Sequence, residues 1–372
     1  KKTELTLTID AGSESREGEI VFKLDEYDYT TTCRVAQYYY EHEEDEEITL
    51  QTHSRGKGIN LVFLGDGFDA ENISNGDYLR VMNEQMERFF DIEPYHTYRD
   101  YFNVSTAIAV SPESGIGTVN TIRNTKFETT FTGEVGLRGN YSTIFNYAME
   151  VSPVDESNLN QSLIIVTPNT IDYGGITEMW TDGSAIAFCP LSEDSYPYDA
   201  RGIIQHEAGG HGFGKLGDEY IYHNTFIDFC DCTCCEHVFE FNIAKSLGWY
   251  ENLSLTGKMH EVPWSHLIFD DRYSDVVDIY EGGFMHARGV FRSEQNSCMN
   301  NNISYYNAIS REAIVKRIME YAGESYSFEK FVENDKRDAV NSLSRSAERP
   351  GVTVRGNQYA PRIHKGKPDI LK

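Results

Sequence analysis

Fifteen residues, His206-Glu207-Ala208-Gly209-Gly210-His211-Gly212-Phe213-Gly214-Lys215-Leu216-Gly217-Asp218-Glu219-Tyr220, constrain this chain more than any other stretch. Two imidazoles and three carboxylates share the segment with five glycines, a composition that suits a metal site and disfavours an ordinary helix. The usual zinc-hydrolase arrangement places two His four residues apart on one helix, with a Glu directly after the first. Here the spacing is five. Successive helical residues turn by about 100°, so side chains four apart diverge by about 40° and those five apart by about 140°. A regular helix would point His206 and His211 in different directions. The spacing therefore predicts a one-residue bulge of the π type, which absorbs the extra residue and restores a common face. Ala208-Gly209-Gly210 is the place for it. Each helix-interior glycine costs about 1 kcal/mol relative to Ala, a cost that makes sense where the backbone must leave ideal geometry.

A catalytic zinc takes three protein ligands and keeps one position for water. With His206 and His211 as two of them, the third is sought downstream. Gly214 resembles the glycine of the metzincin pattern H-E-x-x-H-x-x-G, where the helix stops and the chain turns to bring a third ligand back. That pattern would put the ligand at Gly217, which has no side chain, and Asp218 and Glu219 follow at once. Asp218 is favoured, with Glu219 or a distant His or acidic residue as the alternatives, and the unused carboxylate of the pair would orient an imidazole. Glu207 is expected to face the zinc-bound water and take its proton as general base. A similar five-residue spacing occurs in zinc enzymes of the dipeptidyl-peptidase III type.

Composition narrows the function classes. The 372 residues allow one large domain or two ordinary ones, and a hydrophobic content of 40% with 13% aromatics indicates a folded chain. Lys and Arg total 33 against 59 Asp and Glu, and the resulting net charge of -26 argues against a nucleic-acid partner, which needs a basic face. No stretch approaches the roughly 18 apolar residues of a membrane span. The sequence begins at Lys1, so a signal or anchor segment is expected to have been removed. Cys230, Cys232, Cys234 and Cys235 crowd together just before His237. Disulfides or partly free thiols are favoured there over a metal cluster, because C-x-C pairs fit zinc less well than C-x-x-C does.

Hydrophobic periodicity divides the chain. Residues 1–37 read as a small β module, with Leu5, Leu7 and Ile9, then Ile20-Val21-Phe22, then Thr30 to Val35 as strands. Residues 38–58, with the acidic run Glu41 to Glu47, read as a linker. Residues 59–345 form the main domain, opening on the buried strand Ile59 to Leu64. Leu79, Met82, Met86, Phe89 and Phe90 mark one helical face. Val104 to Val110 and Leu163 to Val166 read as buried strands around a helix near Thr143 to Met149, and Gly183 to Phe188 as a further strand. Asn307 to Ala322 has the pattern of an amphipathic helix. The polar, basic tail 346–372 is expected to wrap the surface or be partly disordered. Alternating strands and helices give an α/β (α+β) class.

Two resemblances add to this reading. Ser15 to Ile20 followed by Thr32 to Gln37 resembles the C-terminal half of a BACON domain, a small immunoglobulin-like module attached to exported enzymes. His206 to Tyr220 resembles the signature of the IgA-peptidase family of zinc metallopeptidases, in which H-E-x-x-H is followed by x-F-G-x-L-x-D-E-Y. Asn60 to Phe68, Tyr101 to Pro112 and Asn296-Ser297-Cys298-Met299 are similar to that family too, so the likeness spans roughly residues 59–330. It implies a zincin-like domain with one catalytic Zn2+ and an apolar floor at Met299 like the Met-turn of metzincins. It also implies secretion or a cell-surface or periplasmic location, and a protein or peptide substrate, with immunoglobulin or another host glycoprotein among the candidates. By analogy with zincins, the Gly183 to Phe188 strand is expected to pair with the substrate backbone. Tyr305 or Tyr306 is expected to donate to the developing oxyanion. His223, His237, His260, His266 and His286 read as surface or structural residues. Two alternatives stay open: a zinc hydrolase acting on a non-peptide amide or glycan-associated substrate, and an inactive surface protein that binds glycans.

Overall fold

The computed structural model describes residues 15–24, 29–37, 41–133, 135–150, 152–227, 235–337 and 360–370. Leu5, Leu7 and Ile9, the cysteines Cys230, Cys232 and Cys234, and the tail from 346 to 359 lie outside the described residues.

Strands β1 (Arg16–Leu24) and β2 (Tyr29–Gln37) pair antiparallel as a hairpin. Next come β3 (Glu47–Gln51), β4 (Ile59–Asp66), helices α1 (Ala70–Ser74) and α2 (Asp77–Phe90), and β5 (Phe102–Ala107). A short ribbon of β6 (Thr130–Phe131) and β7 (Leu137–Arg138) precedes α3 (Tyr141–Glu150), β8 (Leu163–Pro168), β9 (Ile176–Trp180) and β10 (Ala185–Phe188). Helix α4 (Ala200–Ile204) runs directly into a π-helix, Gln205–Phe213. Beyond it lie β11 (Ile221–Phe226), α5 (Cys235–Ser246), β12 (Leu253–Ser254), α6 (Ser265–Ile268), β13 (Tyr280–Gly283) and β14 (Met285–Arg292). Helices α7 (Cys298–Asn301), α8 (Ala308–Ala322) and α9 (Phe328–Asn334) and strand β15 (Arg362–His364) complete the described chain.

Seven strands form one mixed sheet in the order β15-β9-β10-β8-β4-β5-β3. Its centre follows from the apolar runs. Strand β4 pairs parallel with both β5 and β8, and Leu61 to Leu64 are wholly buried, as expected of a strand covered on both faces. Strand β9 reverses direction against β10, giving the mixed character. A second sheet, β11-β14-β12 with β13 also on β14, follows the π-helix in sequence.

Packing then fixes the helices. On α2 the buried face is Tyr78, Val81, Met82, Gln85, Met86, Phe89 and Phe90; Leu79 falls beside it and is only half-buried. Helix α8 begins at Asn307, whose side chain accepts from the Ser310 amide, and ends at Gly323 in the left-handed conformation. Phe213, the last π-helical residue, meets Phe102 and Tyr95 edge-on at 5.4 and 5.8 Å between ring centres. Burying such a ring contributes about 1.5–3 kcal/mol, so the π-helix is anchored in the core at its C-terminal end.

Three expectations change. The stretch 38–58 is not linker throughout, because β3 pairs antiparallel with β5 and closes one edge of the main sheet. The C-terminal tail closes the other. Arg362 and His364 of β15 reach the buried carboxylate of Glu178 on β9, at 3.1 and 2.7 Å. The Gly183 to Phe188 segment is no free edge, since β10 lies between β8 and β9 with its backbone engaged on both sides. It cannot pair with a substrate. In the N-terminal region the described residues form only the hairpin, and an immunoglobulin-like second sheet is not found among them.

Candidate metal centre

The irregular helix arises where the glycines lie. Gly214 N–H donates to the Gly209 carbonyl at 3.0 Å, five residues back, which is the π-type bond. Residues five apart then fall on nearly one face. Neighbouring side chains support the stretched turn: the Tyr95 hydroxyl donates to the Gly209 carbonyl at 2.6 Å, and the Tyr306 hydroxyl donates to the Gln205 carbonyl. Glycine is required for steric reasons as well. A Cβ at Gly210 would overlap Met299 Sδ, and one at Gly209 would lie 2.5 Å from the Tyr306 hydroxyl. After Phe213 the chain turns through Lys215, whose φ of 53° is unusual for a residue other than glycine.

This geometry brings His206 and His211 together. Their Nε2 atoms are 3.1 Å apart, and Asp218 Oδ1 lies 3.1 Å from each. The other ring nitrogens are occupied, with His206 Nδ1 donating to the Cys298 carbonyl at 3.0 Å and His211 Nδ1 to the Leu216 carbonyl at 2.7 Å. A backbone carbonyl accepting from Nδ1 aims Nε2 of each ring at the shared centre, the usual support of a metal-ligating imidazole. Burial opposes charge on His206, but Asp218 overrides it and raises the imidazole to about 9. Burial likewise opposes charge on Asp218, yet the two imidazoles pull its carboxyl down to about 2.

These donors fit a divalent transition ion. Two nitrogens bound tetrahedrally at about 2.0–2.1 Å from zinc stand roughly 3.3 Å apart, close to the 3.1 Å found here. Asp218 Oδ2 is buried without a hydrogen-bond partner, an acceptor that a cation would satisfy. His206, His211 and Asp218 form the group of buried donors, among the described residues, that could hold such an ion.

The loop carrying Asp218 is held firmly. Asn252 donates to the Gly217 carbonyl and accepts from the Gly217 amide, while the Asp218 carbonyl accepts from Phe284 N–H at 2.8 Å. Glu219 faces elsewhere: its Oε1 accepts from Asn252 and Asn307, and its amide donates to the Met299 carbonyl. It therefore braces the loop and does not reach the imidazoles. Met299 is wholly buried beneath Gly210 on α7.

Glu207 borders a narrow crevice lined by Tyr173, Gly175, His206, Tyr220 and Asn302. Thr177 Oγ1, on β9, lies 2.8 Å from Glu207 Oε2 and 2.9 Å from the Glu207 carbonyl oxygen. Burial raises the Glu207 carboxyl above its ordinary value, as suits a proton acceptor in a low-dielectric cleft. The tyrosine expectation needs correction. Tyr305 donates to Glu294 at 2.7 Å and borders a separate cavity with Asp91 and Arg201, while the Tyr306 hydroxyl is engaged by the π-helix. Neither hydroxyl faces the crevice. Tyr220 does: its ring stacks on His206 at 6.3 Å and 19°, and its buried hydroxyl lies near the Asp218 carboxylate without a well-formed hydrogen bond. The only sequence signal for it was its place at the end of Asp218-Glu219-Tyr220.

Comparison with curated proteins finds no match. Residues 48–244, more than half of the chain, match the family described as IgA Peptidase M64, a span that includes the sheet strands β4 to β10, the π-helix and the Asp218 loop. Together with the buried His-His-Asp group, that match makes this chain a member of the IgA peptidase M64 family of metallopeptidases.

Proposed function

We propose that the protein is an exported zinc endopeptidase in which His206, His211 and Asp218 hold the ion and Glu207 is the general base. The observation that carries this reading is the convergence of Nε2 of both histidines and Oδ1 of Asp218 within 3.1 Å of one another. A zinc ion in that position supplies Lewis acidity, polarising a scissile carbonyl and easing deprotonation of a water. Glu207, one residue beyond His206, accepts that proton on a carboxylate oriented by Thr177 and returns it to the leaving amine. Tyr220 donates its hydroxyl to the carbonyl oxygen as negative charge develops there. Met299 is read as the apolar floor of a Met-turn. The family description names immunoglobulin A, and an immunoglobulin or a similar host glycoprotein is the substrate class this reading takes from it.

Chelation tests the reading as a whole. The stripped protein should fail to cleave a mixed peptide library, and added zinc should restore cleavage; a stripped protein that still cleaves would rule out metal-dependent peptidase action.

Tyr220→Phe tests the oxyanion role separately. Loss of an oxyanion donor costs about 100-fold to 1,000-fold in turnover, so kcat should fall on that scale with KM and zinc content unchanged. Thermal stability should change little, because the hydroxyl meets no well-formed hydrogen bond in the fold and has only the Asp218 carboxylate near it. Unchanged kcat would remove Tyr220 from the mechanism.

A further inference from the structure

A second group of imidazoles meets on the other sheet. Strands β11 and β14 pair in parallel with His223 opposite His286, and helix α5 brings His237 against the same residue. His237 Nδ1 and His286 Nε2 are 3.0 Å apart, the same close approach of ring nitrogens found at His206 and His211. The His223 ring is centred 5.7 Å from that of His286. His286 is wholly buried, while His223 is exposed.

We propose that His237 and His286, with His223 closing from the solvent side, bind a second divalent ion of the zinc class that has a structural role. Two features support it. First, Thr225 Oγ1 lies 3.2 Å from His286 Nδ1. An Nδ1–H directed at that oxygen leaves Nε2 as a bare lone pair facing His237, the tautomer a ligand needs. Second, an all-imidazole donor set with an open side suits zinc, copper or nickel and not the oxygen-seeking calcium or magnesium. His223 approaches ring to ring, so its bond to the ion requires a rotation of its exposed side chain, and water can fill the remaining position.

The position suggests what such an ion would do. Phe284, just before β14, and Met285, its first residue, donate their amides to the carbonyls of Asp218 and Tyr220. His286 is the next residue. An ion joining β11, β14 and α5 would therefore stiffen the strand pair that supports the Asp218 loop, without touching the catalytic donors.

The test uses the full chain, stripped with a chelator, reloaded by dialysis against zinc and assayed by elemental analysis. Wild type should hold two zinc equivalents. The variant His223→Ala/His237→Ala, which spares the buried His286, should lose one equivalent and keep peptide hydrolysis at saturating zinc. Asp218→Ala should lose the other. One equivalent in wild type that Asp218→Ala removes would overturn the second site and leave the catalytic one standing. Two equivalents retained by the double variant would overturn it too, by assigning the second ion elsewhere. Near-UV circular dichroism checks that each variant is folded, and His237→Gln alone, a milder change, should weaken binding of the second ion at least 10-fold.

Discussion

Glu207→Gln is expected to lower peptide hydrolysis about 1,000-fold, within the range of about 100-fold to 10,000-fold typical of a positioned acid–base group. Zinc content should be unchanged, because Glu207 is not among the converging donors. The substitution is nearly isosteric, and the Gln side chain can keep its contact with Thr177, so thermal stability should stay close to wild type. Turnover of a fluorogenic peptide library at saturating zinc, measured beside elemental analysis, separates the outcomes. Near-normal turnover with bound zinc would exclude Glu207 as the base. Joint loss of zinc and turnover would instead place the side chain in the metal site.

Asp218→Asn should act on the other half of the machinery. Residues that only orient a ligand cost about 10-fold to 100-fold in metal affinity when removed, so loss of a ligand should exceed about 100-fold. The amide keeps the volume of the carboxylate while removing the charge between two buried imidazoles. Competition with a chromophoric chelator measures the change directly. The equivalent substitution at Glu219 should leave zinc affinity within the range of an orienting residue, since Glu219 is bound to Asn252 and Asn307. If Glu219→Gln weakened binding more than Asp218→Asn, the ligand assignment would be reversed.

What could be read in the sequence was what is local. His206, His211 and Asp218 lie within thirteen residues, and the glycines between them carry the steric information that a helix must distort there. The bulge follows from counting residues per turn. Central strands β4 and β8 were equally legible, because burial on both faces imposes a continuous apolar run. Whatever depends on distant parts of the chain was not. Thr177 reaches Glu207 across thirty residues, and His237 reaches His286 across forty-nine. Tyr305 and Tyr306 lie near Met299 in sequence, but neighbouring residues leave the backbone in different directions, and both hydroxyls find partners away from the crevice. The interior place of β10 is set by β9 folding back beside it, and nothing within Ala185–Phe188 itself encodes that.

Burial of the donor set also affects kinetics. His211 and Asp218 are wholly enclosed, His206 is only 5% exposed, and the helix that carries both histidines is packed against the aromatic core. An ion seated there cannot be passed to solvent one ligand at a time. Its escape has to await a local opening of the π-helix or of the Asp218 loop, so the residence time of the metal is tied to the breathing of the fold. Stripping and reloading the folded protein should therefore be slow, and should quicken under mildly destabilising conditions that favour that opening.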